Sequence, residues 1–568
     1  MYRYMYREHH RRVRGRPVSG STDVQVTGCS GTIKVSLHYF RGSQCASDPY
    51  ARSLVPAFHS AKFVKLSGST MAPPPVRTGS NGNVRVQLRG FERVYTAVDN
   101  SSTKVAHVTV VKGPVATLVQ HLPKALMHTY NLHPTMRALQ VRDAFHEAEI
   151  QPPITVDDVA VRRLLRVRAT DAAEEEAGVW KQHVQEECEK FVNRYEDFAS
   201  SFEVWADETN NTARLFLFSD HYMCDGSSGM TIFNDTLKHV VLSASQTDIE
   251  PKQYPVRTSP YNLWLDNYSV STPLTKMAVK LLAPVIKSVL TSHTKPLLPA
   301  RSDQADLVYP FKNNPSYALF ESGSPETVKK VLARCKQEGV TYSGALTAAV
   351  ILAYYHASQQ HHSTALTDNF KVTLTMSTNL RTRLPIPIPE DVVGSFASLV
   401  PLDSVKSPGT VLAFAKFWDV ARTCKQDIKN GLKSPAVAFT DIFMDQNFNS
   451  ASVPIAFSKH VVKNSCTGDV NISNIGRYPY PMTHSLGDAG EISVEALFLY
   501  ESVPFFSMGT LMYVSMVKSF NYAMLHKYED GDANRLFKAY VTFAEHIGEV
   551  DANATMGDVL AQATPFLK

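Results

Sequence analysis

Cysteine is scarce in this chain: 568 residues carry seven, Cys29, Cys45, Cys188, Cys224, Cys335, Cys424 and Cys466. They are odd in number, scattered, and never spaced as CxxC or beside a paired histidine, which argues against a disulfide framework and against a zinc site. Long apolar runs are also missing. The nearest, Met277 to Ser292, is broken by Lys280 and Lys287, short of the roughly 18 uninterrupted residues a membrane span needs. Its spacing predicts an amphipathic connecting helix, with peripheral membrane contact as the lesser alternative. Charge of one sign is nearly absent from the body. The formal net charge is +5, much of it from Arg3, Arg7, Arg11, Arg12, Arg14 and Arg16, opposed there by Glu8 alone. Without a basic stripe elsewhere, nucleic-acid binding is disfavoured. No secretory signal is evident, so the Asn-x-Ser/Thr triplets at Asn210 and Asn234 read as composition, and the expected compartment is cytoplasmic. The arginine-rich, acid-poor start keeps a mitochondrial presequence as the alternative.

What is present is a globular composition, with 44% hydrophobic, 10% aromatic and 20% charged residues, in a chain long enough for two or more lobes with their own cores. Residues 1–87 read as an N-terminal extension, poorly ordered, with the run Ala72-Pro73-Pro74-Pro75 and alternation at Val24, Val26, Ile33, Val35 and Leu37 that permits a hairpin. Residues 88–270 form a first lobe. It opens with a strand around Arg93 to Val98 and another from Val105 to Val111; a helix on Val115, Leu118, Leu122 and Leu126 follows, kinked at Pro123. An acidic amphipathic helix runs from Asp171 to Phe198, and the strands Ser201 to Trp205 and Ala213 to Phe218 make a hairpin. Residues 271–315 connect the halves. Residues 316–568 form a second α/β lobe that begins with a capped helix start, Ser324-Pro325-Glu326.

The first hairpin leads into Asp220-His221-Tyr222-Met223-Cys224-Asp225-Gly226. The run Leu215 to Phe218 suits a strand buried on both faces, and Met230, Phe233, Leu237 and Val240 give a helical stripe beyond the loop. His221 therefore stands where a strand ends, rigidly placed for a base that must meet a reacting hydroxyl. Asp225 can turn back through the loop, and Gly226 allows the positive φ or close approach such a turn uses. With 20 His and 27 Gly in the chain, a His-x-x-x-Asp-Gly string arises by chance about 0.04 times. A second pair, His484 and Asp488, lies in what reads as a surface loop from Pro479 to Gly490. His361-His362 reads as a solvated helix end, and His133 as a helix-end residue.

The Asp220-His221-x-x-x-Asp225-Gly226 string resembles the HxxxDG signature of the CoA-dependent acyltransferase superfamily. Three further segments agree in order: His133-Pro134-Thr135-Met136-Arg137, then Asn379-Leu380-Arg381 with Gly394-Ser395-Phe396, then Ser473-Asn474-Ile475-Gly476-Arg477. They are similar to segments of the condensation-domain-like and alcohol O-acetyltransferase-like branch. Asp220 departs from the doubled histidine of peptide-synthetase condensation domains. No DFGWG-like segment is evident, which disfavours the plant-type branch.

The resemblance implies an α/β fold of two chloramphenicol-acetyltransferase-like lobes, mixed sheets with flanking helices, and an active-site tunnel between them. It implies an O-acyltransferase that moves an acyl group from acyl-CoA to a hydroxyl, or less readily an amine, of a small molecule or lipid. His221 would be the general base and Asp225 a structural carboxylate paired with Arg381, Arg383 in reserve. Asn474, Ser377 and Asn379 are candidates by type for oxyanion or substrate contacts. No metal and no bound cofactor is expected, acyl-CoA being a co-substrate, and a monomer should suffice. The alternatives are a condensation enzyme fed by carrier-protein thioesters and a non-catalytic binding protein of the same fold. Acceptor identity and acyl length depend on lining residues that the sequence does not order in space.

Overall fold

The structure is a computed structural model that describes residues 19–28, 31–40, 77–78, 82–97, 103–247, 249–256, 259–265, 277, 280–281, 296–302, 316–384, 388–389, 391–402, 409–433, 436–448, 467–503 and 508–567. The chain divides into two compact units, residues 1–68 and 69–568. In the first, Ser19–Gly28 pairs antiparallel with Gly31–Phe40, Val24 opposite Val35 and Val26 opposite Ile33. The proline run at residues 72–75 and most of the Met277 to Ser292 segment lie outside the described residues.

The second unit is built on two six-stranded mixed sheets. In the first, the order is Thr483–Ser485, Glu491–Glu501, Lys104–Lys112, Thr212–Asp220, Ser200–Asp207 and Leu165–Ala169. In the second it is Tyr317–Ser322, Phe520–His526, Thr510–Met516, Val470–Arg477, Leu374–Asn379 and Ala397–Pro401. Two strands of the first sheet thus come from the C-terminal half of the chain. Glu491–Glu501 lies directly against Lys104–Lys112, and a buried cluster of Trp180, Phe320, Phe498, Tyr500 and Leu525 joins side chains of both halves. Burying these rings removes apolar surface that neither half covers alone.

Local sequence explains where the elements begin. The helix Pro325–Gln337 starts with Ser324 accepting the Glu326 N–H and proline in the first turn, which satisfies one of the orphan donors of a helix start. The helix Tyr342–Ser358 is apolar all round and buried along almost its whole length. It forms the centre of the second core, packed on Phe417–Lys433 and Asp530–His546, as a helix without a polar face must.

Three expectations are corrected. The segment around Arg93 to Val98 is a helix, Phe91–Thr96, because its alternating pattern is short and the fold ties its first turn to the helix Ala436–Asn447. The acidic stretch from Asp171 is broken into Ala172–Glu176 and Val179–Glu189 at Gly178, whose φ of +68° is left-handed. The segment from Pro479 to Gly490 is no free loop: Thr483–Ser485 joins the first sheet and His484 is buried. His361 is exposed just past the end of the helix Tyr342–Ser358, as expected, with its Nε2 2.9 Å from Asp532 Oδ1. Among the described residues no helix is long and apolar enough to cross a membrane.

Candidate active site

The strand Thr212–Asp220 carries Leu215, Phe216, Leu217 and Phe218 into the core, and the chain then breaks into the motif loop. The His221 N–H donates to the Thr103 carbonyl at 2.8 Å, which ends the strand's pairing at that point. Asp225 is the N-cap of the helix Gly226–Ala244, with Oδ1 accepting the Ser228 N–H at 2.8 Å. An aspartate is among the best caps because its carboxylate meets both the orphan N–H groups and the positive end of the helix dipole.

The other oxygen of Asp225 reaches the second half of the chain. Oδ2 accepts from Arg381 Nη1 at 2.7 Å and from the Phe396 N–H at 2.8 Å. Arg381 is fully buried; its remaining donors go to Ser228 Oγ at 2.8 Å and to the Val392 carbonyl at 2.9 Å, and its guanidinium lies over the Phe396 ring. Burial pushes the Asp225 carboxyl up, but the Arg381 charge and the hydrogen bonds from Arg381, Ser228 and Phe396 outweigh it and hold the pKa below the usual carboxylate range. Arg383, three residues into the same turn, is not the partner. Asp225 thereby pins the Gly394-Ser395-Phe396 turn to the start of the motif helix.

Gly226 differs from the expectation. It has no positive φ, and a Cβ built there would meet Ile475 at an ordinary 3.4 Å. The crowded glycine is Gly229, where a Cβ would fall 2.2 Å from the His107 ring. His107 lies under the motif helix. Burial holds its pKa near 4, so the ring is neutral, and its Nε2–H donates to the Gly226 carbonyl at 3.2 Å.

Around His221 the structure assembles residues from four separate stretches. Tyr95, from the helix Phe91–Thr96, stacks on the imidazole with centroids 4.3 Å apart and planes 7° from parallel. Ser395 Oγ stands 3.4 Å from Nδ1. Glu501 Oε1 stands 3.8 Å from Nε2, and the Tyr513 hydroxyl donates to Glu501 Oε2 at 3.1 Å. His221 keeps only 10% of its side chain exposed. Asp220, which occupies the first position of the doubled histidine, is fully buried. It accepts from Arg194 Nε at 2.7 Å, and Arg194 Nη2 donates to the Tyr95 carbonyl at 2.8 Å. This chain of contacts runs from Asp220 through Arg194 to the residue that covers His221.

The three polar candidates have hydrogen-bond partners within the fold. Asn379 Nδ2 donates to Ser227 Oγ at 3.0 Å, and its Oδ1 accepts the Arg381 N–H at 2.9 Å. Ser377 Oγ donates to Asn471 Oδ1 at 2.8 Å. Asn474 Nδ2 donates to Ser343 Oγ at 2.9 Å, while its Oδ1 accepts the Gly476 N–H, an Asx turn completed by the positive φ of Gly476. His133 lies outside the site, its Nε2 3.0 Å from Asp235 Oδ2. Ser395 also lines a cavity of about 50 Å³ whose walls include Leu88, Ala148, Ile150, Tyr222 and Val393. No group of three or more His, Cys, Asp or Glu among the described residues has the geometry to hold a metal ion.

Sequence reasoning missed Tyr95, Ser395, Glu501, His107 and Arg194. Ser395 sits inside a segment already singled out, and Glu501 is an acid that ends the apolar run Leu497-Phe498-Leu499-Tyr500. Those two signals were there to be read; nothing along the chain marks Tyr95 or Arg194.

Residues 204–486 match the alcohol acetyltransferase family model, a span that starts in the motif hairpin and takes in Arg381 and Asn474. Curated protein sequences yield no match. Among solved structures, the TRI3 trichothecene 15-O-acetyltransferase from Fusarium sporotrichioides superposes with a TM-score of 0.61 at 14% identity, covering 84% of this chain and 99% of that one. The condensation domain from the monacolin K polyketide synthase MokA gives 0.54 at 14% identity, with 83% and 99% covered. The first condensation domain of the CDA synthetase gives 0.55 at 14%, with 84% and 98% covered. These likenesses establish the two-lobed fold. The chain thus matches the alcohol acetyltransferase family model over residues 204–486 and shares the two-lobed fold of these acetyltransferase and condensation-domain structures.

Proposed function

We propose that the protein is an O-acyltransferase that moves an acyl group from acyl-CoA to a hydroxyl of a small molecule or lipid, with His221 as general base. The observation that carries this reading is the seating of His221: a buried imidazole at a strand end, stacked on Tyr95, with both ring nitrogens turned toward side chains of the second half of the chain. A neutral imidazole so held removes the acceptor's proton as its oxygen attacks the thioester carbonyl. Carbon–oxygen bond formation gives a tetrahedral oxyanion. Its collapse breaks the carbon–sulfur bond, and the imidazolium returns the proton to the departing thiolate of CoA. No acyl-enzyme is needed, and Asp225 with Arg381 serves to hold the loop in place.

Acyl-CoA acts as a co-substrate, and a single chain working in the cytoplasm is the proposed form. The donor is the part of the reading most in need of test. Purified protein is offered one acyl group both on CoA and on a phosphopantetheinylated carrier protein, with a panel of alcohols and amines, and products are followed by mass spectrometry. Ester formation from acyl-CoA supports the proposal. Turnover restricted to the carrier-bound thioester replaces it with a condensation enzyme, and silence with both donors points to a binding protein of the same fold.

A further inference from the structure

The acyl transfer outlined above makes no use of the second ionisable group at the site, Glu501. It is the last residue of Glu491–Glu501, the strand that the C-terminal half lends to the first sheet, and its register partner is Val105. Val105 is in turn opposite Ser219, two residues before His221. The crossover strand thus delivers a carboxyl to the end of the strand that bears the base. Oε2 is held by the Tyr513 hydroxyl at 3.1 Å, Oε1 faces His221 Nε2 at 3.8 Å, and only 13% of the side chain is exposed. A separation of 3.8 Å is longer than a hydrogen bond. Nε2 is therefore not tied to the carboxyl and stays open to an acceptor hydroxyl, while any positive charge that forms on the ring lies beside an acid.

A buried carboxyl is costly unless something pairs with it. Tyr513 contributes one neutral hydrogen bond, and the nearby charged groups are otherwise committed: Asp225 to Arg381, Asp220 to Arg194, and Lys104 Nζ to the Glu187 carbonyl at 2.7 Å. What Glu501 faces is the imidazole.

We propose that Glu501 is a positioning residue for the transfer, which acts through His221 by stabilising the imidazolium formed when the ring takes the acceptor's proton. The inference rests on His221 being the base. The proton passes from the acceptor oxygen to Nε2 and on to the CoA sulfur; Glu501 neither gains nor loses one over the cycle, and acts through the charge it places beside the ring. Other titratable groups around the pair are Tyr95, Asp441, His107, Cys188 and Glu189 together with Lys104, Asp220, Asp225 and Tyr513. All of them stay in place in the variants below.

Glu501→Gln keeps the shape and the acceptor for Tyr513 and removes the charge. The expected result is a fall in kcat of roughly 100-fold with KM changed less than about threefold. A carboxylate favours the protonated ring, so its loss also moves the basic-group limb of the pH profile to lower pH. Glu501→Asp, which keeps the charge, restores the position of that limb, and it carries the test if the Gln variant melts early. Wild-type kcat with an unmoved limb in a folded Gln variant overturns the inference, as does a change confined to KM. His221→Ala, run alongside, separates the two claims. If it retains turnover, the base assignment fails; if it is inactive while Glu501→Gln behaves as wild type, the role of Glu501 fails alone.

Discussion

Asparagine in place of Asp225 is nearly isosteric, yet it should damage the protein through charge rather than shape. The carboxylate accepts three hydrogen bonds, from Arg381 Nη1, the Phe396 N–H and the Ser228 N–H. An amide has one acceptor oxygen, so whichever way it turns, its NH2 faces an N–H donor. Arg381 is left fully buried with the carbonyls of Val392 and Gly394, the Ser228 hydroxyl and Asn379 Oδ1 as remaining partners. Removing one member of a buried, hydrogen-bonded pair costs about 3–5 kcal/mol. That is a large share of the 5–15 kcal/mol typical of folded domains. Asp225→Asn should therefore lower the denaturation midpoint clearly and reduce kcat together with kcat/KM, because the Ser395 turn is no longer pinned beside His221. The double variant with Arg381→Met removes the stranded charge, and its loss should be smaller than the sum of the two single losses. The pH dependence has a definite sign. Asp225 is depressed in the folded state, so its contribution is present above the unfolded carboxylate value and is lost as pH falls through the folded value. The acid limb of the stability profile should flatten in the asparagine variant. A loss below about 1 kcal/mol for Asp225→Asn, additive with Arg381→Met, would refute this reasoning.

Two further outcomes follow from the supporting contacts. Asp220→Ala removes the carboxylate paired with the buried Arg194 and loosens the hold of Arg194 on the Tyr95 carbonyl; denaturation should show a loss of about 3 kcal/mol, and kcat should fall as Tyr95 loses its place over His221. The helix Phe91–Thr96 is clamped to Ala436–Asn447 through Arg89 and Asp445, and two buried acids lie in that contact. Burial raises Glu92 to about 7 and Asp441 to about 8. Folding then favours the protonated acids, so their contribution is full below the unfolded carboxylate values and is lost as pH rises through about 7 and 8. Thermal melts from pH 5.5 to 9 should show this decline, and the double variant Glu92→Gln with Asp441→Asn should flatten it. An unchanged slope would mean that these acids titrate normally in the fold.

The motif hairpin was legible because two periodicities meet there: Leu215 to Phe218 suits a buried strand, and Met230, Phe233 and Leu237 suit one face of a helix. The capped start at Ser324 was readable for similar local reasons. The helix at Phe91–Thr96 was not, since six residues of alternating character fit strand and helix equally and its clamp to Asp445 lies far along the chain. The site splits in the same way. His221 and Asp225 share one loop, and Arg381 came from family pattern. Tyr95 and Glu501 reach the imidazole only because a short helix and a crossover strand bring them there; Glu501 is marked locally as the acid that ends an apolar run, and Tyr95 is not marked at all. Asn379, Ser377 and Asn474 have the right functional groups, but the fold spends their hydrogen bonds on its own backbone and side chains. Gly226 was singled out for backbone freedom, whereas the sterically demanding position is Gly229, a requirement set by His107 from a neighbouring strand.

The most direct test of the central claim is acceptor-dependent release of free CoA thiol from a series of acyl-CoAs, measured for the wild type and for His221→Ala under conditions where both are folded. The account predicts that some alcohol accelerates release in the wild type and that the acceleration disappears in the variant. Acceptor-dependent release that persists in His221→Ala would contradict it.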